Sequence, residues 1–305
     1  MLSAMASRSP RATGHPRGAR SPLAAVATAA VLLAGLAACA PQTPAPNPSA
    51  VPGQIPCTKD AGMPTKTAGK LTIGTDDPAY EPWFKDNKPE NGEGFESAVA
   101  HAVAEKLGYG REDVIWIRVK FDSAIAPGPK DFDFVISQFS ITEERKEAVD
   151  FSSPYYLVRQ AVVAMKSSKI AGKSTLADLR DATLGAQVGT TSFQAITDII
   201  KPKAKPKVYN NNDDAKKALQ NGQVDGIVVD LPTAFQITSS EITDATIVGQ
   251  VPQVGLPEAL GLVLDKGSPL TGCVSNAVND LRNEGTLAEL EKRWLANVGG
   301  AKELT

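Results

Sequence analysis

Apolar and polar positions along this chain form short and long runs that predict strands and helices in turn. Short apolar runs bounded by polar residues are typical of buried strands. The strands predicted in this way cover 70–75, 114–119, 132–137, 161–165, 183–188, 224–229 and 260–264. Apolar residues at helical spacing predict helices over 94–107, 192–200, 213–221, from Pro232 onward, 269–283 and 287–294. Strands that alternate with helices favour the α/β fold class.

The stretch after the predicted strand 132–137 carries the clearest chemistry. Thr142 stands where a helix N-cap belongs, and two glutamates fill the first turn behind it. Helical side chains lean toward the N-terminus, so the guanidinium of Arg145 can point back at the strand end. Together with the hydroxyls of Ser140 and Thr142, it suits a carboxylate held by a bidentate fork. Taken alone, Arg145 would fit an exposed surface helix better, and the flanking pattern favours the binding role.

This stretch resembles the extracytoplasmic solute-binding proteins of ABC importers, specifically the polar amino acid family, solute-binding protein family 3. The family pattern is an acidic residue, an apolar strand, Ser/Thr-Ile-Thr and an Arg, followed by Asp-Phe-Ser and an aromatic pair. It stands here as Asp133, Ser140-Ile141-Thr142, Arg145, Asp150-Phe151-Ser152 and Tyr155-Tyr156. The resemblance covers nearly all of the chain past residue 69, and it implies a two-domain periplasmic-binding-protein-like fold of type II.

The same resemblance implies a domain organisation and a function. Domain 1 would combine 69–156 with 260–305, and domain 2 would be 160–256. The chain would cross between them near 155–159 and 256–260, a double crossing that periodicity alone does not predict. The implied function is to bind a polar amino acid, or a related amine, outside the membrane and to deliver it to ABC transporter permease subunits. We expect a monomer with no cofactor and no metal.

The resemblance also places ligand-binding residues on both walls of a cleft. Ser140, Thr142 and Arg145 would hold the ligand's carboxylate, and the loop 187–191 would form the opposite wall, although it also fits a plain strand-helix turn. Asp230 would bind the ammonium, although an Asp before Pro232 also fits a helix N-cap. The predicted ligand-binding residues are Asp76, Tyr80, Phe121, Gln138, Ser140, Thr142, Arg145, Gln187, Thr190, Thr191 and Asp230.

Aromatic residues after the first strand indicate the kind of side chain that the ligand carries. Tyr80 is expected in the cleft with Phe121 facing it, while Trp83 is expected to be structural. Aromatic faces pack on aliphatic stems and attract cations. With Asp76 nearby, they favour an amide or cationic side chain. Gln138 departs from the family pattern, in which a small residue is usual.

The N-terminus has the features of an export signal. Four arginines precede an apolar segment that ends Leu36-Ala37-Ala38-Cys39, which resembles a bacterial lipobox. We expect 1–38 to be a lipoprotein signal peptide, Cys39 to be lipidated and 39–68 to be a Pro-rich tether to the cell membrane. An ordinary signal peptide is the alternative. Removing four arginines takes the net charge from −2 to −6, which argues against a nucleic-acid partner.

Two further cysteines remain after Cys39, namely Cys57 and Cys273. Outside the cytoplasm, two cysteines are the number that one disulfide needs, and two unpaired thiols are the alternative. We therefore expect a Cys57–Cys273 disulfide.

Catalysis finds little support in the sequence. Of two histidines, one lies in the signal segment and the other, His101, lies on the helix 94–107, which disfavours a Ser-His-Asp triad. The alternative function is a periplasmic enzyme on the same fold that dehydrates small cyclic acids, with Glu96 and Asp76 as acid or base. Turnover of the ligand would distinguish it from a binding protein.

Overall fold

The computed structural model describes residues 55–296 and 300–305. They form two five-stranded sheets and a small two-stranded one, which confirms the α/β class. Across those two ranges, no helix has the length and apolar character needed to span a membrane. The predicted signal peptide, Cys39 and the tether as far as residue 54 lie outside the described residues.

The first lobe is built on one of the large sheets. In spatial order its strands are β2 (Val114–Arg118), β1 (Leu71–Thr75), β3 (Phe134–Val135), β12 (Val263–Asp265) and β4 (Val149–Phe151). Its helices are α1 (Phe95–Lys106), α2 (Phe121–Ile125), α3 (Glu143–Ala148), α7 (Thr271–Asn283) and α8 (Thr286–Trp294), with short 3₁₀ turns at Lys85–Asn87, Pro89–Asn91 and Arg111–Asp113. Strand β1 is buried along its whole length and lies between β2 and β3 in the sheet.

The second lobe is built on the other large sheet. Its strands, again in spatial order, are β10 (Ala245–Gln250), β6 (Gln160–Met165), β9 (Gly226–Asp230), β7 (Leu184–Gln187) and β8 (Lys207–Tyr209). Its helices are α4 (Thr191–Ala195), α5 (Asn212–Gln220) and α6 (Leu231–Gln236), with π-helical turns at Ile196–Ile200 and Ile237–Glu241 and a 3₁₀ turn at Ala177–Leu179. Strands β8 and β10 had no counterpart among the predicted elements.

A two-stranded ribbon lies between the lobes. Strand β5 (Tyr156–Leu157) pairs antiparallel with β11 (Ala259–Leu260), which brings together the two segments expected to cross. The predicted strand 260–264 is thereby divided into β11 and β12. Gly261 stands at the division, where an added Cβ would lie 2.8 Å from the side chain of Ile141.

The predicted disulfide is confirmed, since Cys57 and Cys273 are bonded. Cys273 lies on α7 and is 2% exposed. The bond therefore fastens the segment before β1 to the helical layer of the first lobe.

The C-terminal residues depart from the expected domain 1, because they pack on the second lobe. The backbone N–H groups of Leu304 and Thr305 donate to the carbonyls of Gln250 and Ser174, respectively. Leu304 is 1% exposed and joins an apolar cluster of the second lobe. Burial of this one leucine explains the placement, since β6 and β10 offer it an apolar surface.

Candidate functional site

A small cavity lies between the lobes and is lined by residues from both. Nine of the eleven predicted ligand-binding residues line it: Asp76, Tyr80, Phe121, Gln138, Arg145, Gln187, Thr190, Thr191 and Asp230. Many of them stand at or just after the carboxyl ends of strands, where ligands bind in open α/β sheets. The other lining residues are Ser137, Ser192, Asn212, Val229 and Thr233.

Arg145 is held firmly at the cavity. Its Nη1 donates to the Ser140 carbonyl at 2.7 Å, and its Nη2 donates to the Gly189 carbonyl of the second lobe at 2.9 Å. The guanidinium carbon lies 5.5 Å from the centre of the Phe121 ring. Burial lowers the pKa of Arg145, and Glu258 and Asp230 oppose that shift. Two of the five N–H groups are used in these bonds, and guanidinium N–H groups suit an anionic partner such as a carboxylate.

The hydroxyls of Ser140 and Thr142 are engaged elsewhere, in contrast to the prediction that both face the ligand. Thr142 Oγ1 accepts from the backbone N–H of Arg145 at 3.2 Å and caps α3. Ser140 Oγ donates to Glu258 Oε1 at 2.6 Å and lies 3.1 Å from Thr191 Oγ1. Neither residue lines the cavity, because cap geometry turns the first hydroxyl away and Glu258 attracts the second.

Asp230 ends β9 and faces the cavity from the second lobe. It occupies the N-cap position of α6, yet its side chain makes no capping bond. Its Oδ1 instead accepts from Gln160 Nε2 at 2.7 Å. Burial, with a further contribution from Glu258, raises the pKa of Asp230 to about 8. An ammonium in the cavity would stabilise the ionised carboxylate by charge pairing.

The loop 187–191 combines the two structures that the sequence left open. Gly189 has a φ of +72°, which glycine adopts without strain. Thr190 Oγ1 accepts from the Phe193 N–H at 3.2 Å and donates to the Gln187 carbonyl at 2.8 Å. The loop is thus a capped strand-helix turn that also forms one wall of the cavity.

The cleft position of Tyr80 and the structural role of Trp83 agree with the prediction, whereas Phe121, which was expected to face Tyr80, stacks on another ring. Tyr80 lines the cavity, and its hydroxyl accepts from the Asp213 N–H of the second lobe at 3.4 Å. Lys216 Nζ lies 5.2 Å from the centre of the Tyr80 ring. Phe121 stacks on Phe139 with centroids 4.5 Å apart. Trp83 is fully buried and donates to Thr233 Oγ1 at 2.9 Å, as befits a structural residue.

Glu96, the candidate acid of the enzyme alternative, is fully buried and does not line the cavity. Its Oε1 accepts from the backbone N–H of Gln138 at 2.7 Å, and its carboxylate also accepts from Gln138 Nε2 and from the Tyr155 hydroxyl. Burial raises the pKa of Glu96 to about 7. These bonds hold Gln138 at a φ of +51°, so Glu96 supports the cavity wall and does not face the ligand space.

The chain matches the model of a known protein family and is similar to curated proteins. Residues 71–297 match the family model described as bacterial extracellular solute-binding proteins, family 3. A curated relative, the arginine-binding extracellular protein ArtP of Bacillus subtilis (strain 168), is 28% identical over 230 residues, which are 74% of this chain and 86% of that protein.

Two solved structures extend the likeness to three dimensions. An ancestral arginine-binding protein bound to glutamine has 32% identity and a TM-score of 0.63, with 75% of this chain and 98% of that chain covered. The arginine-, lysine-, histidine-binding protein ArtJ from Geobacillus stearothermophilus has 26% identity and a TM-score of 0.64, with 74% and 95% covered. All three are described as binding proteins.

Proposed function

Because the chain belongs to the bacterial extracellular solute-binding proteins of family 3, we propose that it binds a polar amino acid and delivers it to the permease of an ABC importer. The observation that carries the proposal is that Arg145 and Asp230 line one cavity from opposite lobes. A free amino acid carries a carboxylate and an ammonium, which complement these two charges. The two-lobed α/β fold, like that of type II periplasmic binding proteins, suits such a ligand, since each lobe can hold one end.

The side-chain part of the cavity favours a cationic or amide side chain. Tyr80 and Phe121 offer aromatic faces to an aliphatic stem or a cation. Asp76 and Gln187 add a carboxyl and an amide beside them. Burial raises the pKa of Asp76, so a cationic group nearby would stabilise its ionised form. Arginine, lysine, histidine and glutamine, which the similar proteins are described as binding, carry side chains of these kinds.

We propose that the two lobes are the two domains, 69–156 with 260–296 and 160–256, and we place 300–305 with the second. A ligand that touches both walls would favour closure through contacts that an open form lacks. The ribbon of β5 and β11 is the proposed hinge, since both crossing segments lie in it.

Thermal-shift measurement with the twenty amino acids and a set of small amines tests the proposed function. A ligand that binds only the folded protein, at one hundred times its Kd, stabilises it by about 2.7 kcal/mol. For a domain of this size we expect a Tm rise of about 5–10 °C for the true ligand. If no amino acid or amine raises the Tm, the proposed function is wrong. Recovery of a chemically changed ligand would favour the enzyme alternative.

The lipid anchor is a separate proposal that depends on Leu36-Ala37-Ala38-Cys39. Two or more acyl chains on Cys39 would give stable membrane attachment. Cys39→Ala should therefore move the exported protein from the membrane fraction to the soluble fraction, with Cys57→Ser as a control that leaves the anchor in place. A wild-type protein already soluble after export would contradict the proposal.

A further inference from the structure

Glu258 is a side chain near the cleft that no sequence pattern indicated. It lies on the second crossing segment, just before β11. Its Oε1 accepts from Ser140 Oγ at 2.6 Å, and its two carboxylate oxygens lie 3.2 and 3.1 Å from Gln160 Nε2. Ser140 belongs to the first lobe and Gln160 to the second. One carboxylate therefore joins both lobes close to the cavity.

Gln160 links Glu258 to Asp230. Its Oε1 accepts from Ser192 Oγ at 2.6 Å, so the orientation of the amide is set and Nε2 faces the acids. The same Nε2 is 2.7 Å from Asp230 Oδ1 and in contact with both oxygens of Glu258. Two ionised carboxylates around one neutral amide repel each other, and burial strengthens the repulsion.

The surrounding charges do not cancel this repulsion. Arg145 attracts both acids, while Glu96 adds a further acidic group that raises the pKa of Asp230. Tyr155 and Tyr156 also face Asp230, but burial raises the pKa of each phenol, which keeps both neutral. Arg145 therefore supplies one positive charge near three acidic side chains, those of Asp230, Glu258 and the buried Glu96. Protonation of Asp230, whose pKa is raised by burial and by the neighbouring acids, relieves the excess of negative charge when no cation is bound.

We propose that Glu258 is a positioning residue of the ligand cleft, which holds Gln160 against Asp230, adds negative charge beside that carboxyl and so couples binding of the ligand's ammonium to proton release. This rests on the proposed function. When the ammonium arrives, the O–H bond of the protonated carboxyl breaks and the proton passes to the buffer. The ammonium N–H groups then take its place beside the ionised Asp230. Glu258 acts through Gln160, which it holds beside Asp230, and through Ser140.

The first test needs no ligand. Carboxyl ¹³C NMR of the labelled protein follows the titration of Asp230, whose signal is identified by its loss in Asp230→Asn. In Glu258→Gln we expect the Asp230 midpoint to fall by about one pH unit or more, because the repelling charge is gone. Glu303→Gln is the matched control. Glu303 pairs with Arg159 on the first crossing segment but contacts neither Gln160 nor Ser140 in the described residues. An unchanged midpoint in Glu258→Gln would overturn the proposal.

The second test uses L-arginine, L-histidine and L-glutamine as probes in calorimetry of the wild-type protein. Binding heats at pH 7 in phosphate and in Tris differ in proportion to the protons released, and we expect a measurable release. Affinity should rise with pH between 6 and 8 in the wild type, and in Glu258→Gln this rise should move to lower pH by as much as the Asp230 midpoint does. Binding without proton release in the wild type would overturn the coupling. If no probe binds, the amino acid assignment is in question, and the NMR titration still decides the role of Glu258.

Discussion

Replacing Arg145 with alanine is expected to weaken amino acid binding by about 30-fold to several thousand-fold, which corresponds to a loss of about 2–5 kcal/mol. Arg145 is only 8% exposed, and the carbonyls of Ser140 and Gly189 hold its guanidinium in place. Its removal would leave the ligand's carboxylate buried without a partner, which costs more than a lost surface contact.

Calorimetry with the amino acid found by thermal shift measures this change, and circular dichroism checks that the variant is folded. Arg111→Ala is the matched control, since Arg111 is exposed and donates to the Asn91 carbonyl away from the cavity. Arg145→Lys should retain part of the affinity, because lysine keeps the charge and loses the planar fork. A folded Arg145→Ala variant that binds like the wild type would exclude Arg145 from the carboxylate site.

Removing the disulfide by the double substitution Cys57→Ser and Cys273→Ser is expected to lower the free energy of unfolding by about 2–4 kcal/mol. The two cysteines are 216 residues apart. A bond over so long a loop removes much of the freedom of the unfolded chain, and chain-entropy arguments give about 5 kcal/mol before other effects reduce it. Serine at the buried position 273 would also carry a hydroxyl into an apolar cluster.

Urea unfolding of the oxidised wild type and of the double variant measures the difference. Neither cysteine lines the cavity, so the affinity for the amino acid should be equal in both proteins, and this serves as the control for correct folding. Equal stability would mean that the helical layer of the first lobe holds the segment before β1 without the covalent bond.

Local patterns were sufficient where one residue type has one strong physical preference. The capping role of Thr142 followed from a hydroxyl before two glutamates, and the structure shows it. The buried apolar run of β9, followed by Asp230, placed that carboxyl at the edge of a sheet where cavities form. The disulfide followed from cysteine number and compartment. In each case the outcome depends on residues that are close in the sequence or on the number of cysteines.

Features that depend on tertiary contacts were not predictable in the same way. Strand β8 has two exposed residues among its three, so it shows no apolar run, and pairing with β7 alone makes it a strand. Glu258 lies in a glycine- and proline-containing segment with no helical or strand periodicity, and only the meeting of the lobes brings it to Ser140 and Gln160. The turning of Ser140 away from the cavity has the same cause, since its acceptor is 118 residues away.

The first and last described residues lie on different lobes, which suits the attachment of fluorescent labels. Ile55 and Cys57 pack against the first lobe, whereas Thr305 is bonded to Ser174 and Leu176 of the second. A donor fluorophore near Ile55 and an acceptor at Thr305 would thus be attached to different lobes. Closure of the cleft would alter energy transfer between them with no label inserted into either core. The fold would therefore suit an engineered amino acid sensor, with one reporter attached near Ile55 and the other at Thr305.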